Sequence, residues 1–235
     1  MKTEAEVQEA LEKLKVLVRT AEDEALFAVQ LHESWKRTAY DVDLQERMGK
    51  SFATQTFNIV RLALRRELFL TLVRIWDTNK QAVRLTAIWE TLRNEQCFAA
   101  LVQERASGLR AEQELLRQEL SPARDEVLAL IQKYMPGGRS VEVMDRLRSL
   151  RHERLAHRQV EAPAEVSKEQ ATDEQIETLY HDTLDIVSRL LHLVLAHGLD
   201  LTNDATGVYR HYARFFWGTA RGERTAGHPN YATPR

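Results

Sequence analysis

The chain contains few of the residues that interrupt helices or cross-link a fold. Its 235 residues include nine glycines, five prolines and a single cysteine, Cys97. One cysteine excludes an intramolecular disulfide and a cysteine-built zinc site, and it suits a reducing compartment, so we expect a cytoplasmic protein. Because long helices tolerate few glycines and prolines, their scarcity predicts an all-α fold.

Long apolar runs and a strong net charge are also missing. No run of 18 or more apolar residues occurs, so we expect no membrane span and no membrane partner. The charged segment 1–15 is unlike a secretory signal. A formal net charge of −2 argues against a protein that coats nucleic acid nonspecifically, although it leaves room for a local basic cleft.

Apolar residues at a spacing of three to four predict several helices in the first half of the chain. The first runs over 3–38. Ser51 is expected to cap a second helix that ends near Asp77, followed by a short helix over 85–92 and a polar helical tract over 94–118. The second helix carries a stripe of expected core residues, namely Phe57, Val60, Leu64, Leu68, Leu72, Ile75 and Trp76.

The second half of the chain is divided by clearer signals. Pro122 is expected in the first turn of a helix over 121–134, where its missing N–H is harmless. Pro136-Gly137-Gly138 is the clearest break. Thr172 and Gln175 predict a capping box that opens a helix over 173–197, with Gly198 as its C-cap.

The C-terminal part begins with an aromatic and basic segment, 209–217. Two interpretations stay open: its rings stack on nucleic acid bases, or it is an amphipathic helix that docks on the bundle or on a second subunit. From Arg221 the composition favours disorder. We therefore expect one domain over 1–220 and a disordered tail over 221–235.

The stretch 139–158, RSVEVMDRLRSLRHERLAHR, combines helical periodicity with an unusual density of arginine. A helix is expected over 140–157, because neither glycine nor proline interrupts it. Arg151 and His157 are six residues apart, which on a straight helix separates them by about 9 Å along the axis and about 120° around it. One such pair is too widely spaced to hold a single phosphate unaided, whereas a frayed turn or a second copy of the helix would bring both groups to one site.

The sequence RHERLAH (151–157) resembles the Arg-x(4–6)-His signature of the HEPN superfamily, most closely its abortive-infection AbiU-like branch. A second stretch, 64–92, resembles the helix of that branch that ends in a Trp/Phe-Asp pair, here Trp76-Asp77, and leads into a short helix. The similarity covers roughly residues 30 to 200. It implies an all-helical bundle, here with a long N-terminal helix and a C-terminal helical extension.

For members with an intact motif, the resemblance implies metal-independent RNA cleavage in a dimer cleft. His157 would transfer protons, because an imidazole with a pKa near 7 can act as acid or base. Arg151 would stabilise charge on the phosphate. His152 occupies the position where Asn or Asp is more usual and would orient the phosphate or the arginine. Asp77 is either a simple helix-end residue or an element that shapes the cleft.

Three further arginines, Arg148, Arg154 and Arg158, are candidate contacts to the RNA backbone, or else plain surface charges. No metal or other cofactor is expected, because the histidine pairs 152/157 and 192/197 are five residues apart, whereas helical metal pairs prefer three or four. No Gly-x-Ser-x-Gly elbow or phosphate-binding loop occurs either.

The sequence thus favours a HEPN-type endoribonuclease that acts as a homodimer on cellular RNA, as a toxin or abortive-infection effector with an antitoxin protein as a further partner. The alternative is a non-catalytic helical scaffold or adaptor of the same fold, which binds a protein partner or RNA without cutting.

Overall fold

The computed structural model describes residues 2–77, 84–106, 110–150 and 172–233. Over these ranges the chain forms helices and no strand, which confirms the predicted all-α class. The helices are α1 (Glu4–Tyr40), α2 (Val42–Gly49), α3 (Thr54–Ile75), α4 (Leu85–Arg93), α5 (Glu95–Arg105), α6 (Arg110–Gln132), α7 (Val141–Leu150), α8 (Asp173–Leu195) and α9 (Thr206–Thr219).

Helix α1 is the central element of the bundle and packs against α3, α8, α9, α5 and α4. It begins with a capping box in which the Thr3 hydroxyl accepts from the Glu6 amide at 3.3 Å and the Glu6 carboxylate accepts from the Thr3 amide at 2.7 Å. The predicted helix over 3–38 is therefore confirmed. One stripe of buried residues supplies its core contacts, including Leu11, Leu14, Val18, Ala21, Ala25, Ala28 and Val29.

The predicted start of the next long helix is wrong. Ser51 does not cap α3; its hydroxyl donates to the Met48 carbonyl at 3.0 Å and accepts from the Ala53 amide at 3.2 Å. This local turn consumes the hydroxyl, so α3 begins only at Thr54 and has no side-chain cap. Val60 is also exposed rather than core.

Helix α6 corrects two further predictions. The tract 94–118 is divided, because α5 ends at Arg105 and α6 begins at Arg110. Pro122 lies in the interior of α6 and not in a first turn. A proline there cannot donate to the carbonyl four residues earlier. Beside it, the Ser121 hydroxyl donates to the Arg117 carbonyl at 2.7 Å.

The capping box at the start of α8 is confirmed, with Thr172 and Gln175 in reciprocal hydrogen bonds. The end of α8 differs from the prediction. Ala196, not Gly198, takes the left-handed conformation (φ +54°), and the His197 amide donates back to the Leu191 carbonyl at 3.0 Å. A short π-helical segment, Leu201–Ala205, then leads directly into α9.

After α9, residues 221–233 form successive turns whose amide hydrogen bonds join Thr225 to Gly222, His228 to Thr225 and Tyr231 to His228. Gly222 lies so close to the end of α2 that a Cβ there would be 2.1 Å from the Arg47 carbonyl oxygen. The division into a domain over 1–220 and a disordered tail stays a prediction. Within the described ranges, no helix combines the length and the hydropathy needed to cross a membrane.

Candidate active-site region

The turn that precedes α7 fixes where that helix starts. Gly137 has a φ of +84°, which only glycine adopts without strain. A Cβ on Gly138 would lie 2.2 Å from the Gln132 carbonyl oxygen and 2.4 Å from that of Lys133. The Ser140 amide donates back to the same Lys133 carbonyl at 2.9 Å. The predicted break at 136–138 is thus confirmed, and it directs the chain from the end of α6 into α7.

Helix α7 is held on the bundle by an apolar face and by two arginines. Val143, Met144 and Leu147 are buried. Arg148 Nη2 donates to the carbonyl oxygen of Trp76 at 3.2 Å, and its Nη1 donates to Asp145 at 3.3 Å. The last described turn of α7 is therefore attached to the C-terminal end of α3.

The second arginine, Arg146, connects α7 to the start of α8. Its Nη1 lies 3.5 Å from Gln175 Oε1, the same oxygen that accepts from the Thr172 amide in the capping box, and its Nη2 contacts Glu142 at 3.3 Å. Two neighbouring elements, the end of α3 and the beginning of α8, thus border α7 where the chain enters the RHERLAH motif.

Trp76 is the buried support of this region. Its indole Nε1 donates to the Thr183 hydroxyl at 2.9 Å, and its ring meets Tyr134 edge-on with centroids 4.9 Å apart. The Tyr134 hydroxyl donates to Asp182 at 2.7 Å, and Lys133 Nζ contacts the same carboxylate at 2.5 Å. Burial, together with the Asp182 carboxylate, raises the pKa of Tyr134, so this phenol remains a donor. These contacts of Trp76 and Tyr134 join the C-terminal ends of α3 and α6 to α8.

The predicted site residues divide into two groups. Arg148 lies in the described part of the chain, and the contacts just given show its guanidinium engaged with Trp76 and Asp145. Asp77 follows α3, and its amide donates to the Arg74 carbonyl at 3.2 Å. The remaining predicted site residues lie outside the described residues, and their roles stay predictions: Arg151, His152, Arg154, His157 and Arg158.

A buried ionic cluster between α1, α8 and α9 was missed by the sequence analysis. His32 and Glu33 are 1% and 3% exposed. His32 Nδ1 lies 3.2 Å from Glu33 Oε1, and its Nε2 lies 3.0 Å from Glu177. Arg210 Nε donates to the other Glu33 oxygen at 3.1 Å. Both ring nitrogens therefore face carboxylates, and only an imidazolium can donate from both.

The charge state of His32 follows from these contacts. Burial lowers the pKa of His32, but the hydrogen bonds that its ring donates to Glu177 and Glu33 outweigh this effect, so the pKa is raised overall. The pKa values of Glu33 and Glu177 are lowered, against the opposing effect of burial, chiefly by hydrogen bonds to His32. The available signal was the position of His32, three residues after Val29, in the buried stripe of α1. Among the described residues, no group of histidine, cysteine and carboxylate side chains could hold a metal ion.

Comparison with known proteins identifies the family of the chain. The family model of AbiU2 in the HEPN superfamily matches residues 8–216. No curated protein and no solved structure matches the chain. The family match spans well over half of the sequence and includes both the Trp76-Asp77 pair and the RHERLAH motif. The chain therefore belongs to the HEPN AbiU2 family.

Proposed function

We propose that this protein is a metal-independent HEPN-type endoribonuclease that serves as a toxin or abortive-infection effector. Membership of the AbiU2 family supports this proposal. The observation that carries it is the hydrogen bond from Arg148 to the Trp76 carbonyl. This hydrogen bond connects the Trp76-Asp77 pair to the helix that leads into the motif. Arg148 lies three residues before Arg151, so the bond links the two regions that resemble the family.

The proposed chemistry uses the nucleophile that RNA itself supplies. The 2′-OH loses its proton to a base and attacks the adjacent phosphorus, the P–O5′ bond breaks, and the 5′-oxygen takes up a proton. The products are a 2′,3′-cyclic phosphate and a 5′-hydroxyl. His157 would carry out a proton transfer, Arg151 would neutralise charge on the phosphate oxygens, and His152 would orient the phosphate or Arg151.

A homodimer is part of the proposal, because Arg151 and His157 are about 9 Å apart along a straight helix. Two motif helices facing each other across a two-fold axis would bring an arginine of one copy to a histidine of the other. An antitoxin protein is the second proposed partner, since uncontrolled RNA cleavage would harm the cell that makes the enzyme.

Cleavage of a labelled RNA in EDTA tests the function. The proposal expects cutting to continue in EDTA, 2′,3′-cyclic phosphate ends, no cutting of DNA of the same sequence, and loss of cutting in His157→Ala. His192→Ala is the matched control, because His192 is an exposed histidine on α8 that is not part of the predicted motif. RNA binding without any cleavage would favour the scaffold or adaptor instead. Activity lost in EDTA and restored by Mn²⁺ or Mg²⁺ would refute the metal-independent mechanism.

A further inference from the structure

Helix α9 has an apolar side that the described part of the bundle leaves exposed. Tyr212, Phe215 and Phe216 are 60%, 73% and 65% exposed, and Val208 is 48% exposed. Thr219 extends this side toward the end of the helix, and its hydroxyl donates to the Phe216 carbonyl at 2.7 Å. Because residues three and four apart are neighbours on a helix surface, these five residues form one continuous outer row.

The side of α9 that docks on the bundle is a different one. Ala213 and Trp217 are buried, and Trp217 Nε1 donates to the Ser34 carbonyl of α1 at 3.1 Å. The Trp217 ring meets Phe57 of α3 edge-on, with centroids 5.9 Å apart. At 100° per residue, the centre of the outer row lies about 135° around the helix axis from these buried residues. Helix α9 therefore docks on the bundle and keeps a second apolar side.

The charged side chains of α9 lie away from the outer row. Arg210 and Arg214 are about 145° to 175° around the axis from its centre, and α9 contains no acidic residue. Arg210 is engaged within the protein, because its Nε donates to Glu33 at 3.1 Å. Two copies of α9 can therefore meet row to row without bringing their arginines together or burying an unpaired charge.

The outer row also matches a copy of itself that runs in the opposite direction. Four of its positions are separated by four, three and four residues, the spacing at which the side chains of two helices interlock along a seam. In size these positions are small, large, large and small: Val208, Tyr212, Phe215 and Thr219. In an antiparallel pair, Tyr212 of each copy meets Phe215 of the other. A two-fold axis requires such self-complementarity, because the same patch serves both subunits.

The area of the outer row suits the centre of an interface. Since an aromatic side chain has about 150–250 Å² of surface, three rings at these exposures together with Val208 offer roughly 400–500 Å². A stable interface buries about 800 Å² on each partner, with an apolar centre and a polar rim. The row is therefore large enough to form the apolar centre, and surrounding polar residues can supply the rim.

Helix α9 is connected to the place where the chain returns from the motif to the bundle. Arg210 contacts Glu33, and the neighbouring His32 lies 3.0 Å from Glu177. Glu177 belongs to the first turns of α8, which begins at Asp173 and follows the RHERLAH motif in the chain. Two copies joined through α9 are thus joined by a helix that is coupled, through α1, to the start of α8.

We propose that the outer row of α9 is the contact through which two copies of this chain associate, packed antiparallel and row to row. The inference rests on the proposed function in one respect, the homodimer, and gives that dimer an interface outside the motif. The free energy of association then comes from apolar contacts of α9. The basic residues of the motif remain available to RNA.

Sedimentation equilibrium of the full-length protein tests the interface. Phe215→Glu and Tyr212→Lys should each raise the dissociation constant of the dimer about a hundredfold or more, because each places an unpaired charge in an apolar contact. Leu115→Glu is the matched control and should leave the constant unchanged, since Leu115 is 67% exposed but lies on α6. Unchanged circular dichroism would show that the variants fold.

Mixing the Phe215→Glu chain with the Tyr212→Lys chain identifies the occupant of the row. In the antiparallel pair the two introduced charges face each other, so the mixture should associate at least about tenfold more tightly than either variant alone. Dissociation of both variants without recovery on mixing would overturn the row-to-row contact, because the row would then pack on another surface of the second copy.

Two other results would also overturn the proposal. Dimers that persist in both single variants would place the interface elsewhere, such as at the motif helices. A parent protein that stays monomeric at about 100 μM would leave the row to a partner of different sequence. All of these measurements are made without RNA. The interface can therefore fail while cleavage in EDTA still supports the proposed function, and the reverse holds as well.

Discussion

The guanidinium of Arg148 lies 3.2 Å from the carbonyl oxygen of Trp76, across 72 residues of sequence. Arg148→Gln should therefore slow RNA cleavage, because α7 loses a fixed point one turn before the motif. Stability should fall by about 1 kcal/mol, since the side chain is partly exposed. The slope of the logarithm of RNA affinity against the logarithm of salt concentration should stay unchanged. A slope reduced by about 0.7 at unchanged stability would instead support the RNA contact predicted from the sequence.

Arg151→Ala should slow single-turnover cleavage by a hundredfold or more while RNA affinity changes little. The reason is that a contact made mainly in the transition state lowers turnover and not ground-state binding. Arg151→Lys should restore little, because an ammonium cannot match the planar guanidinium. Arg158→Ala is the comparison and should weaken binding and lower the salt slope instead. Parental cleavage by Arg151→Ala would remove the motif from the mechanism.

Mixing two inactive variants tests the proposed dimer cleft. If each site combines Arg151 of one copy with His157 of the other, Arg151→Ala and His157→Ala chains should complement each other. Random exchange of equal amounts should restore about a quarter of the parental activity, because half of the dimers are mixed and each has one intact site. No recovery, although exchange is confirmed by mass spectrometry, would place both groups of a site on one chain.

The buried His32 cluster predicts the pH dependence of stability. The raised pKa of His32 means that its contribution is complete below its ordinary value of 6.5 and is lost as the pH rises through the raised value. The lowered pKa values of Glu33 and Glu177 affect stability at acidic pH. Their contribution to the free energy of unfolding is lost as the pH falls below about 4.5. His181, whose pKa is lowered by burial, remains in every variant compared.

Urea unfolding from about pH 5.5 to about pH 8.5 measures this dependence. His32→Gln should lower the free energy of unfolding by about 3 kcal/mol at the acidic end and by less at the alkaline end. His192→Gln should change neither value. A constant difference between parent and His32→Gln across the range would mean that His32 does not change its charge there.

The Pro136-Gly137-Gly138 turn predicts a strict requirement for glycine. Gly138→Ala should destabilise the protein by about 2 kcal/mol or more, because the new Cβ would overlap two carbonyl oxygens and displace α7. Cleavage should fall further than the folded fraction does. Gly49→Ala, where a Cβ meets nothing within 4 Å, is the matched control. Thermal melting and cleavage of the two variants decide the point.

The parts of the fold that sequence predicted well are those with local causes. The capping box of Thr172 and Gln175 and the glycine turn at 137 depend on residues within one turn of each other. Pro122 and Gly198 were misinterpreted because a proline or glycine permits a helix end without requiring one. At Pro122 the helix continues, and at the end of α8 the left-handed residue is Ala196 instead.

The candidate site was predictable in its residue types but not in its contacts. The helical stretch 139–158 predicted Arg148 to be a basic residue on a helix, yet its hydrogen bond to Trp76 depends on how α7 packs on α3. His32 shows the same limit. A lone histidine in an apolar stripe gives no indication that Glu177, on a different helix, is 3.0 Å away.

The contacts of α1 determine how this bundle can open. At 37 residues the helix is about 55 Å long and contacts α3, α4, α5, α8 and α9. Loss of any of these five helices uncovers part of α1, so its central amides do not exchange with solvent through a small local fluctuation. Hydrogen–deuterium exchange at the amides around Ala25 should therefore report the global free energy of unfolding, whereas α9 can detach and exchange earlier. A cell protease that cuts α1 near Ala25 would therefore act on a chain already unfolded throughout.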